Sequence, residues 1–220
     1  MKPVRVKICC IASLAEARLA IDAGASALGL VSAMPSGPGP IDEALIAEIA
    51  AAVPASIDTF LLTALQGADA IIAQHRRCRT TVLQLVDAVA VPDLQHLRAA
   101  LPGVQLVQVI HVTGPEALAQ ARAVAPWVDA LLLDSGNPAL ALKQLGGTGR
   151  THDWTLSRRI REGVSRPVWL AGGLRADNVG AALAAVQPRG VDLCNGVRSD
   201  GRLDAAKLGA FFDALVRSSA

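Results

Sequence analysis

The sequence predicts a (β/α)8 barrel that fills a single domain, residues 1–220. Three observations carry that prediction. Short β-branched apolar runs alternate with longer Ala- and Leu-rich segments of helical period, and about eight such pairs can be counted. The runs are apolar along their whole length, as in parallel strands covered by helices. Polar and glycine-rich clusters follow the strands and precede the helices, where a barrel assembles its active site. A doubly wound sheet shares the alternation, and the count of units favours the barrel.

The elements follow in order. A strand over 4–9 leads to a helix over 14–23, where Leu14, Ala17, Arg18 and Ile21 keep the spacing that buries one face. Gly24 suits the stop before a second strand, 27–31. Residues 33–40, A-M-P-S-G-P-G-P, are too proline-rich for either regular element and read as a loop before a helix over 41–52. Strands over 57–62 and 81–85 alternate with helices over 68–75 and 92–100. After a turn at Gly103 come a strand over 104–111 and a helix over 115–125. The sixth strand, 130–134, is followed by a long polar segment, 134–153, and a helix over 154–162. The last units are strands over 167–171 and 190–194, with helices over 175–186 and 204–216.

Composition narrows the function classes. Hydrophobic residues make up 52% of the chain and charged residues 18%, which excludes a disordered chain. A net charge of +2, without basic or acidic blocks, argues against nucleic acid or a membrane surface as the main partner. Three Trp, three Phe and no Tyr leave few rings for stacking on bases. No apolar run reaches membrane-spanning length, and the opening M-K-P-V-R-V-K-I has no signal-peptide pattern. Cys9, Cys10, Cys78 and Cys194 lack zinc-site or disulfide-framework spacing. A cytoplasmic protein with reduced thiols is expected.

Five places could hold chemistry. Cys9 ends the first strand, so its thiol is expected to point into the barrel mouth. Cys10 is expected on the opposite face, because neighbouring strand residues alternate. Cys194 ends the eighth strand, next to the first in a closed barrel, which leaves a Cys9–Cys194 contact open, although the cytosol disfavours a stable bridge. Asp134 follows three leucines, where desolvation favours the neutral acid that a proton donor requires. Gly146–Gly149, G-G-T-G with Thr148, precedes Arg150 and Thr151 and can present backbone N–H groups to an anion. A-G-G-L at Ala171–Leu174, with Arg175 opening the next helix, and D-L-C-N-G-V at Asp192–Val197 stand where barrels bind phosphate. His75 and His96 are expected to be solvated. His111 is expected at the mouth.

Together these stretches resemble one family. V-K-I-C at Val6–Cys9, L-L-D-S at Leu132–Ser135, G-G-T-G-R-T-H-D-W at Gly146–Trp154, P-V-W-L-A-G-G-L at Pro167–Leu174 with Asn178, and G-V-D at Gly190–Asp192 with Gly196 resemble phosphoribosylanthranilate isomerase. The likeness runs nearly end to end. It implies a (β/α)8 barrel of tryptophan biosynthesis that needs no metal or organic cofactor and occurs as monomer or homodimer. It also implies a small phosphorylated sugar substrate, with Cys9 as general base and Asp134 as general acid of an Amadori rearrangement. Lys7, Gly147, Thr148, Gly172, Gly173, Asn195 and Gly196 would hold the substrate and its phosphate.

The chain departs from the family pattern in places. Cys10 stands where the family has glycine, and the loop after strand two, P-S-G-P-G-P, carries no arginine for the anthranilate carboxylate. Gln84–Asp87 reads Q-L-V-D instead of Q-L-H-G, and Leu61–Thr63 reads L-L-T. Cys194–Arg198 reads C-N-G-V-R instead of S-S-G-V-E. His111, Arg150 and Arg198 are candidates to take over the lost contacts. Two alternatives therefore stand beside the isomerase: a related phosphosugar isomerase or lyase with another substrate, and a barrel that only binds a phosphometabolite.

Overall fold

The computed structural model describes residues 3–147 and 149–219. Eight parallel strands close into a barrel in chain order: β1 (Arg5–Ile8), β2 (Ala27–Val31), β3 (Asp58–Thr63), β4 (Val82–Leu85), β5 (Gln105–His111), β6 (Ala130–Asp134), β7 (Val168–Leu170) and β8 (Gly190–Leu193). The helices α1 (Leu14–Asp22), α2 (Glu43–Ala52), α3 (Ala68–Cys78), α4 (Val91–Ala100), α5 (Glu116–Val124), α6 (Trp154–Gly163), α7 (Val179–Val186) and α8 (Ala205–Ser219) follow one strand each. Among the described residues no helix is long and apolar enough to cross a membrane.

The apolar strands resolve into two layers because successive side chains point to opposite faces. Ile8, Leu28, Leu61, Leu83, Leu131 and Leu133 face the helices. Phe60, Val82, Val107, Val109, Leu132 and Trp169 fill the barrel itself. Each such side chain contributes roughly 1.5–3 kcal/mol of burial energy, so both layers must be filled for the barrel to hold. Phe60 and Trp169 meet edge to face, ring centroids 5.5 Å apart. Lys7 lies over the Phe60 ring at 5.1 Å. The barrel is thus plugged below its mouth, at the end where the strands stop.

Helix starts follow local chemistry. Ser13 Oγ accepts from the Glu16 N–H to cap α1, and Asp153 accepts from Thr155 and Leu156 to cap α6. Two boundaries differ from expectation. Helix α3 continues to Cys78, which carries His75 inward: its ring is buried, with Nε2 2.8 Å from the Thr80 carbonyl, and is not solvated as expected. Helix α7 begins at Val179 and not at residue 175, because residues 175–178 form a turn closed by Arg175 N–H on Asn178 Oδ1 at 2.8 Å.

One element was not anticipated. After a short 3-10 turn, Asn195–Val197, the chain forms a small hairpin of β9 (Arg198–Ser199) and β10 (Arg202–Leu203). Its two connecting residues, Asp200 and Gly201, both have positive φ (50° and 76°), the signature of a tight hairpin turn that Asp-Gly favours. Arg198 anchors the hairpin: its guanidinium binds Glu16 at 3.0 Å, Gly201 O at 3.1 Å and Cys10 O at 2.6 Å. Arg198 is therefore buried in structural bonds and is not available to a ligand, contrary to the role considered for it.

Burial works against the Glu16 charge, yet Arg198 and the N–H groups of Leu203 and Ala12 hold its carboxyl below the ordinary range. A depressed acid stabilises the fold at neutral pH, and that contribution is lost as pH falls through the folded-state value. Wild-type protein is expected to lose more stability between about pH 5 and pH 3 than Arg198→Met does, read by urea unfolding at both pH values. Equal losses would mean that the ion pair carries no such contribution.

Candidate active site

Alternation along β1 turns Lys7 and Cys9 into the barrel, while Val6 and Ile8 pack outward. Cys9 comes one residue after the strand, with its N–H on the Leu193 carbonyl at 2.7 Å. On the neighbouring strand Asp192 points inward and stands directly opposite Lys7 in register. The two form an ion pair of 2.8 Å, with Lys7 fully buried and Asp192 nearly so. Burial alone would push the Lys7 ammonium down, but Asp192, Cys9 and Cys10 hold it above its usual value.

Cys9 is held below the ordinary thiol range. The Cys10 side chain contributes most, burial opposes it, and the Lys7 cation adds to the lowering. A cation on the same strand is what a thiolate base requires. Lys7 itself does not line the cavity, because its ammonium is spent on Asp192 below the floor. The substrate contact expected of Lys7 is therefore corrected to a supporting one.

Cys10 corrects a second expectation. Its φ of 62° takes the chain out of the extended conformation, so strand alternation no longer applies and both cysteines line the same cavity. Its sulfur lies 2.8 Å from Cys194 Sγ. Cys194 thus meets Cys10, where the sequence left a contact with Cys9 open. Among the described residues, no group of three or more His, Cys, Asp or Glu is placed to hold a metal.

Asp134 closes β6 and lines this cavity. Its Oδ1 accepts from the Ser135 N–H at 2.7 Å. Its Oδ2 faces Gly146, where an added Cβ would come within 2.6 Å at a φ of 136°. Glycine suits that positive φ, and a side chain there would displace the carboxylate. His111, opposite Asp134 in register, does not reach the mouth: its ring is buried, with Nε2 2.9 Å from Val86 O. Arg150 does not line the cavity either, and Nη2 donates to Gln144 Oε1 at 2.8 Å.

The expected anion cup is brought together after β7 and β8. Gly147, Gly172, Gly173, Arg175, Asn195 and Gly196 line one end of the cavity. Asn195 Nδ2 donates to Gly147 O at 3.0 Å and ties the two glycine clusters to each other. At Gly173 a Cβ would meet the Arg150 carbonyl carbon at 2.7 Å, and φ is 61°. The backbone there passes too close to its neighbour for any other residue. Thr148 lies outside the described residues.

The other end is apolar. Val31, Met34, Leu62, Val86 and Leu145 line it, at the ends of strands and in loops on the far side of the mouth. Gln84 reaches in among them, buried, with no partner for its Oε1 among the described residues. Ser36 Oγ donates to Lys143 O at 2.6 Å, pinning the proline-rich loop to the segment after β6. Asp192 also lines the cavity, and its Oδ1 has no partner among the described residues. Its motif was singled out in the sequence, but its position opposite Lys7 was the signal that distinguished it.

Comparison with known proteins agrees with this arrangement. Residues 6–214 match the family described as N-(5'phosphoribosyl)anthranilate (PRA) isomerase. An N-(5'-phosphoribosyl)anthranilate isomerase 2 of Methanosarcina mazei is 36% identical over 207 residues, covering 93% of this chain and 91% of that protein. The N-(5'-phosphoribosyl)anthranilate isomerase of Haloferax volcanii is 39% identical over 198 residues, covering 90% and 86%. The crystal structure of phosphoribosyl anthranilate isomerase from Thermus thermophilus superposes with a TM-score of 0.81 at 27% identity, covering 97% of this chain and 99% of that one. A closed barrel with a thiol, a carboxylate and a glycine cup at its mouth, matched along nearly its whole length, belongs to the N-(5'-phosphoribosyl)anthranilate isomerase family.

Proposed function

We propose that this chain is the isomerase of tryptophan biosynthesis that converts N-(5'-phosphoribosyl)anthranilate to the 1-deoxyribulose phosphate, with Cys9 as base and Asp134 as acid. The observation that carries the reading is that both side chains line one cavity whose adjoining end is a glycine cup. The phosphate sits on the backbone of Gly172, Gly173 and Gly196, beside Arg175, whose guanidinium is paired with Asp177 at 3.1 Å. The aromatic ring lies against Val31, Met34, Leu62 and Val86.

Asp134 gives a proton to the furanose ring oxygen, and the C1'–O bond opens to the protonated imine. The Cys9 thiolate then removes the C2' proton, and the electron pair moves to form the C1'–C2' double bond of the enamine. That enaminol relaxes to the C2' ketone. The free Oδ1 of Asp192 accepts from a sugar hydroxyl, which orients C2' toward Cys9. The whole sequence moves protons only and needs no cofactor, and the compartment is the cytoplasm, where the thiolate stays reduced.

One feature of the cavity favours a second reading. Arg175 is the one cation among its described lining residues, and it stands at the phosphate end. A substrate carboxylate at the apolar end therefore has no ionic partner there, a loss of roughly 1.5–3 kcal/mol. A phosphosugar without that carboxylate would suit the same acid and base.

Purified protein mixed with phosphoribosylanthranilate is expected to show loss of anthranilate fluorescence. Tight phosphate-ester binding without turnover would sink the first reading and leave the second. Gly173→Ala is expected to raise KM about tenfold or more, because about 1–3 kcal/mol of backbone strain falls on the phosphate cup. An unchanged KM would remove Gly173 from the cup.

A further inference from the structure

Three of the four cysteines line one cavity, and the mechanism proposed above uses only one of them. Cys10 and Cys194 are the other two, with sulfurs 2.8 Å apart. A disulfide bond is about 2.05 Å long, so less than about 1 Å of movement would join them. Two backbone features set this approach. Strands β1 and β8 are paired, with Ile8 opposite Leu193, so the residues just beyond them are neighbours. The left-handed backbone of Cys10 then turns its side chain toward β8 and away from a strand's alternation. Cys194 is partly exposed and open to small oxidants, while Cys10 is buried behind it.

We propose that Cys10 and Cys194 form a reversible dithiol–disulfide pair, a redox site on the cavity wall that peroxides close and dithiol reductants reopen. The Cys194 sulfur attacks one peroxide oxygen, the O–O bond breaks, and the departing oxygen takes the thiol proton and leaves as water. The resulting sulfenic acid is attacked by the Cys10 sulfur. An S–S bond forms, the S–O bond breaks, and the Cys10 proton leaves with the second water. Two thiols and one peroxide thus give one disulfide and two waters, and an added dithiol returns both thiols by exchange.

The consequence for catalysis rests on the isomerase reading. The Cys10 thiol is the largest influence holding Cys9 in its thiolate-favouring state. A disulfide removes that S–H, so less of Cys9 is thiolate at neutral pH, and turnover falls. The pair thereby senses oxidant beside the base.

The test treats the reduced full chain with hydrogen peroxide and counts thiols after denaturation, where four are expected to become two. Trypsin places Cys9 and Cys10 in peptide 8–18 and Cys194 in peptide 190–198, and fragmentation between the vicinal cysteines assigns the link. A link through Cys10, with Cys9 free, is the expected result. A link through Cys9, or none, overturns the proposal. Cys194→Ser is expected to keep its remaining three thiols under the same treatment, and loss of two there would assign the reaction to Cys9 and Cys10 instead. Activity is expected to fall about tenfold or more in step with the link, as when a positioned base is partly disabled, and to return with dithiothreitol. Complete linkage at unchanged activity overturns the switch. The link is read without turnover, so an inactive reduced protein would count against the isomerase reading and not against this site.

Discussion

Cys9→Ala and Asp134→Asn are each expected to lower kcat by about 10²–10⁴-fold, the usual contribution of a positioned acid or base. Substrate affinity should change little, since phosphate and ring are held by other residues. Asparagine keeps the shape of Asp134 and can still accept from the Ser135 N–H, so the fold around the carboxylate is preserved. What it removes is the proton for the ring oxygen. Cys9→Ser is the sharper control: it is close in size, but a hydroxyl ionises far above a thiol and supplies no base near neutral pH. Cys9→Ser should therefore behave like Cys9→Ala in kcat. Single-turnover rates with circular dichroism as a check of folding decide the matter. Rates within tenfold of wild type for either carboxylate or thiol variant would remove that residue from the chemistry.

The barrel was legible because it rests on long-range regularities. Eight apolar runs, each followed by a helical period, leave few other ways to bury both faces of the strands. The inward placement of Asp134 and Cys9 and the glycine cup after β7 and β8 follow from the same regularity. What the sequence did not disclose turns on single residues. Cys10 leaves strand geometry through one dihedral angle, and with it the sulfur contact passes from Cys9 to Cys10. His75 is buried because α3 runs three residues further than expected, and the last turn of the helix faces the core. Arg198 was open to a ligand role until the hairpin placed it against Glu16 and the Cys10 carbonyl. Asp192 became recognisable only through register, when it fell opposite Lys7 on the adjoining strand.

Lys7→Met is expected to have the largest effect on stability. It leaves the Asp192 carboxylate inside the barrel without its cation, and breaking a buried pair in this way costs about 3–5 kcal/mol. For a chain of this length that corresponds to a fall in Tm of roughly 10 °C. The double variant Lys7→Met/Asp192→Leu removes both charges and is expected to recover most of the loss, because apolar groups of similar volume often replace a buried pair at little cost. The sign of the pH dependence follows from the raised Lys7 value. A cation whose folded pKa exceeds 10.5 contributes stability below that pH and loses it as pH rises through the folded value. Wild type should accordingly weaken at alkaline pH more than the double variant does. The same substitution reaches the chemistry. Lys7 helps hold Cys9 in its thiolate form and Asp192 opposes it, so in Lys7→Met the acid limb of kcat/KM against pH moves upward. In the double variant both influences are gone, and the limb should lie between the other two. If the limb stays in place while stability falls, Lys7 supports the fold alone, and the thiolate owes its charge to the cysteine beside it.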